Sequence, residues 1–368
     1  MRHWHTVSRH TPCPICGKPD WCAVSADGAW ALCRRVGTGD GLHKRDKGGA
    51  DYWLYRRDGG SLQHRPAIDL PTTSTPACAD TDTLGRVYRT LLDALSLAPS
   101  HRQSLRQRGL ADAEILRRHY GTLPLEGRAA LAKRVVDWWG GDVCAQVPGF
   151  YVAERNGQRW WSLGGAAGLL IPVRNLDGDI VALKVRADAP GHSPKYTTVS
   201  SAKHGGPSPG AQVHVPLQDG PRGETIRLTE DEIKADLATV WSGLLTVSVP
   251  GVAMWPKALP VLEALQPQRV LLAFDADWRT NPHVAQALGQ AALALVTAGY
   301  AVQVEAWEPA LGKGIDDLFA AGHTPVQHST ALAFGASLRG QARVWTRSLS
   351  TIAAEEVPSW RSSHCIPR

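Results

Sequence analysis

TIRLTEDEIKADLATVW, residues 225–241, and RVLLAFDADW, residues 269–278, decide the fold. Each begins as a short apolar run and ends in carboxylates: Glu230, Asp231 and Glu232 after the first, Asp275 and Asp277 after the second. Ile233 to Trp241 has a helical period, and LLTVSV (residues 244–249) is a further apolar run. A long alanine-rich helix (Val284 to Ala298), a strand (Ala301 to Ala306) and the segment GKGIDD, containing Asp316 and Asp317, follow. Short apolar runs alternating with helix-period segments predict βαβ units on a parallel sheet. Open sheets of this kind bind ligands beyond the carboxyl ends of their strands, the edge on which all three acidic clusters fall.

Acids gathered at one edge repel each other. In extended chain, Asp275 and Asp277 point to one side, roughly 6–7 Å apart. A Glu230 carboxylate within about 4 Å of either adds roughly 4 kcal/mol of repulsion at an effective dielectric near 20. Capping the next helix is an ordinary use for one such cluster. Three on one edge favour a bound cation, and hard oxygen donors suit Mg²⁺ or Mn²⁺.

The order of a glutamate after the first strand, Asp-x-Asp after a later one and Asp-Asp before a helix resembles the Toprim domain of primases, topoisomerases and related nucleases, a Rossmann-like parallel sheet. LTEDEIKADLA, LLAFDAD and KGIDDLFAAG stand at its three motifs. The resemblance implies Glu230, Asp275 and Asp277 as catalytic, metal-binding residues, with Asp316 and Asp317 as further Mg²⁺ ligands. Asp231 stands where the family usually has glycine, a residue that permits a tight turn.

The chain has 368 residues, net charge +6 and a pI near 9.0. That length accommodates two or three domains, and the charge favours a polyanionic partner. No apolar run approaches a membrane span and MRHWHTVSRH is no signal peptide, so the expected location is cytoplasmic. Fourteen tryptophans against four phenylalanines have no physical explanation in the sequence.

Four of seven cysteines crowd into the first tenth of the chain: Cys13, Cys16, Cys22 and Cys33. Without an export signal, such spacing reads as metal ligation. CPICG is a knuckle of two thiolates, and WCAVSADGAWALC reads as a hairpin turning at Asp27-Gly28, which would bring Cys33 back to it. Cys22 is the natural fourth zinc ligand, with His43 or His10 as alternatives. The segment resembles the zinc-binding domain of phage and plasmid primases, although their later cysteine pair is incomplete here.

Residues 66–80 read as a Pro/Thr/Ser tether. Beyond it, Leu84–Leu97 and His101–Tyr120 read as helices, with a break at Gly109–Asp112. HRQSLRQRGLADAEILRRHYG is either a DNA-reading pair or, the preferred reading, a solvated basic hairpin. Trp138-Trp139 and Trp160-Trp161 are either base-stacking platforms or core, with core preferred for at least one of each pair. Next come LLIPVR, the turn Asn175–Gly178, DIVALKVRAD and a loop with Lys195, Lys203 and His204. A cationic, glycine-rich loop after a hairpin suits phosphate. IPVRNLDGDIVALKVR followed by SPKY is similar to the segment preceding Toprim in bacterial replicative primases. On that resemblance Arg186 and Lys195 contact triphosphate or template phosphate; Lys184 and Lys203 are added by inference from their charge and place.

The expected architecture is therefore multidomain α+β and α/β. It comprises a zinc ribbon-like module (1–65), a linker (66–80), a basic α+β subdomain (81–224), a Toprim domain (225–322) and a tail compatible with a closing helix at 323–368. The expected function is primase-like: metal-dependent synthesis of short RNA primers from NTPs on single-stranded DNA, for a plasmid, phage or mobile element. Structural zinc, catalytic Mg²⁺ or Mn²⁺, and a replicative helicase in trans complete the expectation, since no Gly-Lys-Ser/Thr phosphate loop is present. Toprim-type strand cleavage and a catalytically silent DNA-binding initiation module are the alternatives.

Overall fold

The computed structural model describes residues 4–37, 41–46, 51–57, 77–189, 194–324 and 327–330. It divides into two compact units, 1–74 and 75–368. The first is an antiparallel sheet of β1 (Trp4–Thr6), β2 (Ala23–Ser25), β3 (Trp30–Cys33), β4 (Leu42–Arg45) and β5 (Asp51–Arg56), in the order β1-β2-β3-β5-β4. The β2–β3 hairpin turns at Asp27-Gly28, as its sequence requires: Gly28 has φ +69° and its N–H donates to Ser25 O at 2.8 Å. Cys22 lies just ahead of β2 rather than within it. Of the expected tether, residues 66–76 lie outside the described residues, while Asp80 already caps the first helix of the second unit.

In the second unit the chain forms α1 (Thr81–Asp93), α2 (Pro99–Gln107), α3 (Asp112–Arg117), β6 (Gly121–Leu123), α4 (Arg128–Trp139) and α5 (Gly141–Cys144). A hairpin of β7 (Phe150–Arg155) and β8 (Gln158–Leu163) follows, then β9 (Gly168–Arg174), β10 (Ile180–Ala187) and β11 (Tyr196–Thr198). β11-β10-β9-β6 make an antiparallel sheet. Helix α1 starts three residues ahead of its apolar pattern because Asp80 accepts from Thr83 N at 2.9 Å. Gly109 separates α2 from α3 with φ +103°, and a Cβ there would lie 2.4 Å from the Trp241 ring. The break is thus set by what packs on it as well as by backbone freedom.

The remainder is β12 (Thr225–Glu230), α6 (Glu232–Ser242), β13 (Thr246–Val249), α7 (Leu259–Leu265), β14 (Arg269–Leu272), α8 (Pro282–Thr297), β15 (Ala301–Ala306), α9 (Ile315–Ala320) and β16 (Gln327–Thr330). β13, β12, β14 and β15 lie parallel in that order, with β16 antiparallel at the edge. Inside the sequence region read as a closing helix, residues 327–330 are this edge strand; residues 331–368 lie outside the described residues. No helix among the described residues is long and apolar enough to cross a membrane.

The strands are buried on both faces: Ile226, Leu228, Val270, Leu272, Val302 and Val304 share one core with Leu288 and Leu295 of α8, while Arg227 of β12 and Glu305 of β15 are buried as an ion pair at 2.6 Å. A second core joins α1 to β9 and β10. Between them, Leu105 and Ile115 of α2 and α3, Leu169 and Ile171 of β9 and Ile233 and Leu237 of α6 form a bridging cluster. Beside it lies a buried polar knot: Asp236 accepts from Arg118 at 2.8 Å and from Tyr120 at 2.5 Å, and lies 3.4 Å from His214. Burial alone would raise the Asp236 pKa, but His214 and Arg118 hold it at about 2. The helical arginines are therefore mostly in ion pairs, Arg102 and Arg106 on Asp112 and Arg118 within the knot. Trp139 and Trp161 pack on the second core while Trp138 and Trp160 are exposed, so one member of each pair is core.

Candidate active site and metal centre

The acidic edge is built by neighbouring strands. β12 and β14 pair in register from Thr225↔Arg269 to Leu228↔Leu272, and Ala273 N then donates to Leu228 O at 2.9 Å. Glu230 and Asp275 consequently leave the sheet side by side. Asp275 keeps an extended backbone (φ −52°, ψ 142°), but the chain then winds into a 3₁₀ turn, Ala276–Arg279. The expectation of two aspartates on one extended face is corrected here: Asp277 belongs to the turn. Both still face a common cation, because Lys313 Nζ lies 3.3 Å from Asp275 Oδ2 and 3.5 Å from Asp277 Oδ2.

Glu230 is the perturbed group. Burial, then repulsion from Asp275, raises its pKa from 4.5 to about 7, with Asp277 adding to the effect and Lys234 and Lys313 opposing it. Lys234, in the first turn of α6, donates to Asp275 Oδ1. Sequence reasoning missed Lys234 and Lys313 as members of the site; the available signals were the place of Lys234 in the first turn of the helix that follows the acidic strand end and the flanking glycines of Lys313. Asp316, 4 % exposed, pairs through Oδ2 with Arg108 at 2.5 Å. Asp317 turns away and accepts from Gly314 N at 3.1 Å, capping α9.

The donor set fits a hard divalent cation. Asp277 Oδ1 and Asp316 Oδ1 are buried oxygens that no hydrogen bond satisfies, an arrangement that is costly in a protein interior. A Cβ on Gly314 would lie 2.5 Å from Asp316 Oδ1 and 2.9 Å from Lys234 Cε, so glycine keeps that space open. The carboxylates are spread wider than the thiols described below, with ammonium groups among them.

Asp231 shows why its position favours glycine: it has φ +73°, and its side chain accepts from Ile233 N at 2.9 Å to cap α6. Aspartate tolerates this region at a cost of about 1 kcal/mol or more, whereas exchanging an aspartate cap for glycine costs only a few tenths. Asp231→Gly is therefore expected to stabilise the protein by about 0.5–1 kcal/mol, read as a higher urea midpoint at unchanged slope.

Of the expected phosphate contacts, Lys184 donates to both oxygens of buried Glu232 at 2.9 and 2.8 Å. Its ammonium is engaged within the protein. Arg186, half-buried on β10, makes no ion pair among the described residues, and Lys195 is exposed with its ammonium 5.6 Å from the Tyr196 ring centre. Tyr196 feels the charges of Asp231, Arg108 and Arg186, which places this hairpin end beside the acidic edge. Lys203 sits in a turn whose His204 stacks on Tyr151 at 3.6 Å, on the β7 side of the unit. Among the described residues, no ion pair or hydrogen bond joins it to the acids.

In the first unit the four cysteine sulfurs lie within 4.8 Å of one another, the only such set of three or more His, Cys, Asp or Glu ligands among the described residues. Cys16–Cys22 and Cys22–Cys33 Sγ separations are 3.7 and 3.9 Å, close to the roughly 3.8 Å edge of a tetrahedron with Zn–S bonds of about 2.3 Å. The knuckle closes through Gly17 N donating to Cys13 O at 2.8 Å with φ +68° at Gly17. Val36 N donates to Cys33 Sγ at 3.4 Å. The backbone thus curls round Cys33 as it would in a second cysteine pair, and Cys22 supplies the missing sulfur. His43 is engaged elsewhere, 2.9 Å from Asp51. Burial and the neighbouring thiols push the Cys22 and Cys33 pKa values up, a penalty that a shared cation removes.

Compared by structure, the chain is similar to the Escherichia coli primase catalytic core, with TM-score 0.55 and 20% identity over 73% of this chain and 91% of that chain. The fold is that of a primase catalytic core. Also similar are the RNA polymerase domain of Mycobacterium tuberculosis primase DnaG in complex with double-stranded DNA (TM-score 0.53, 16% identity, 77% and 95% of the two chains) and a DnaG primase catalytic domain bound to ssDNA (0.52, 18%, 73% and 91%). A family described as a domain of unknown function, DUF3854, matches residues 222–324, the stretch holding the parallel primase-core strands and the acidic edge. By sequence, no curated protein matches the chain.

Glu230 carries a pH dependence of defined sign. Its folded pKa of about 7 lies above its ordinary value of 4.5, so its contribution to stability is complete below the ordinary value and is lost as pH rises through about 7. Metal-free protein should weaken across this window, and Glu230→Gln should flatten the change in urea midpoint. A divalent cation, which favours the ionised form, should restore stability at the alkaline end.

Proposed function

We propose that the chain is a primase-type nucleotidyltransferase of the Toprim class, which synthesises short RNA primers on single-stranded DNA during replication of a plasmid, phage or mobile element. The observation that carries this reading is the meeting of Glu230, Asp275 and Asp277 at the carboxyl edge of a parallel sheet within a primase-core fold. Glu230, Asp275 and Asp277 hold Mg²⁺ or Mn²⁺, with Asp316 Oδ1 as a further donor; Asp317 acts through the α9 cap. The bound ion supplies neutralisation of charge at the attacking and leaving oxygens.

Within that site the chain's own residues divide the work. Glu230, ionised beside the bound ion, serves either as a metal ligand or as the acceptor of the proton from the attacking 3′-hydroxyl. Lys234 fixes Asp275 in place. Arg186 and Lys195 bind triphosphate or template phosphate, where two cations near the carboxylates orient the polyphosphate for in-line attack. Lys184 holds Glu232 and so the start of α6. The zinc-bound first unit contacts the single-stranded template, and a helicase acts in trans.

The test supplies single-stranded DNA, NTPs and Mg²⁺ to the full chain and resolves products on a sequencing gel. Short RNA that depends on template and on Mg²⁺ is the expected result. Nicked or relaxed plasmid without RNA synthesis would replace this reading by strand cleavage.

A further inference from the structure

Lys313 occupies an unusual position for an exposed lysine. Its ammonium bridges Asp275 Oδ2 at 3.3 Å and Asp277 Oδ2 at 3.5 Å while its side chain remains 65% exposed. Its backbone, in contrast, is fixed: the carbonyl accepts from Ala276 N at 2.9 Å, within the turn that carries both aspartates. Gly312 on one side has φ +149°, with no room for a Cβ beside Asp317 (2.6 Å), and Gly314 on the other abuts Asp316 and Lys234. Only the side chain is at liberty. Lys234 differs in each respect: 14% exposed, it is held by Asp275 with Glu230 nearby. The site thus contains one permanent and one removable internal cation.

We propose that Lys313 is an exchangeable counter-ion, which bridges Asp275 and Asp277 while the site lacks a metal, leaves when a divalent cation enters, and then contacts the polyphosphate of the nucleotide. The proposal rests on the active-site reading above. A bridging position between two carboxylates is one that a divalent ion takes, and an ammonium and a divalent ion a few ångströms apart repel strongly. Only the lysine end of these pairs is exposed, Asp275 being buried and Asp277 one-third exposed, so the ammonium can withdraw into water while the incoming cation takes over the neutralisation of both carboxylates. Once displaced, the tethered ammonium remains within a side-chain length of the ion, where an anionic ligand of that ion is its natural partner. This gives one lysine opposite effects on two ligands: it competes with the metal and assists the nucleotide.

The test uses the full chain and Mn²⁺ alone, followed by electron paramagnetic resonance, and then ATP at saturating Mn²⁺. Lys313→Met keeps the stem and removes the charge. It should bind Mn²⁺ about three- to tenfold more tightly than wild type, the range for deleting one exposed ammonium shared by two carboxylates. The same variant should bind ATP more weakly by a similar factor, and Lys313→Arg should stay near wild type in both. Unchanged or weaker Mn²⁺ binding by Lys313→Met, or unchanged ATP binding, overturns the exchange alone. Wild-type protein that binds no Mn²⁺, or an Asp277→Asn variant that binds it as well as wild type, defeats the active-site reading and the exchange with it.

Discussion

Replacing Asp275 by asparagine is expected to reduce primer synthesis by about 10²–10³-fold, the scale seen when one pre-organised charge at a reacting centre is removed. Asparagine keeps the shape and removes the charge that faces both Lys234 and Lys313. Asp275 is only 4 % exposed, so the substitution also leaves the Lys234 ammonium short of a partner, which costs about 3 kcal/mol of stability. Asp277→Asn separates the two effects. Its side chain is about one-third exposed and its only ion-pair partner among the described residues is Lys313. Its stability should stay within about 0.5 kcal/mol of wild type, while Mn²⁺ affinity and primer synthesis fall together. Denaturant midpoints, Mn²⁺ titration and gel-resolved products measure the three quantities. Wild-type product yield from either variant would place the chemistry elsewhere.

The second large effect is expected in the first unit. Its core is small: among the described residues Val7, Cys13, Cys22, Ala31 and Cys33 are its buried apolar members, with Ile15, Val24 and Tyr55 half-buried. A domain of this size buries too little surface to be stable alone, and zinc in such a site contributes roughly 10–16 kcal/mol. Purified protein should hold about one zinc per chain, and chelation should remove the amide-exchange protection of β1–β5. The second unit, with separate cores around Leu228 and Leu170, should keep its unfolding transition. Cys22→Ser should act like chelation and His43→Ala should not, because His43 bonds to Asp51 outside the cysteine set. Full protection of β1–β5 in zinc-free protein would contradict this account.

The parallel sheet was legible because short apolar runs such as RVLLAF alternate with helix-period segments; the buried Arg227 within TIRLT was not, since its partner Glu305 lies on a strand far along the chain. The carboxylates at the strand ends were legible for a related reason: acids at strand termini stand out from the runs they follow. The geometry after Asp275 was not. Asp-Ala-Asp is compatible with extended chain or a turn, and the choice is made by Ala276 N bonding to Lys313 O, a partner distant in sequence. The roles of Lys184 and Lys234 were hidden similarly. A lysine on a strand or helix reads as a solvated charge until the fold brings Glu232 or Asp275 against it. In the first unit, the incomplete second cysteine pair looked like a missing ligand, yet Val36 N takes the place of the second knuckle residue and Cys22 supplies the sulfur. Asp231 is the opposite case, since the family resemblance marks the position as one usually held by glycine and its φ of +73° shows the strain.

The most direct measurement is anomalous diffraction at the manganese edge from crystals of the full chain equilibrated with Mn²⁺. The account requires a manganese peak within coordinating distance of Asp275 and Asp277, with Glu230 turned toward it and the Lys313 ammonium displaced. Manganese bound elsewhere, or absent while Lys313 still bridges the two aspartates, would contradict it.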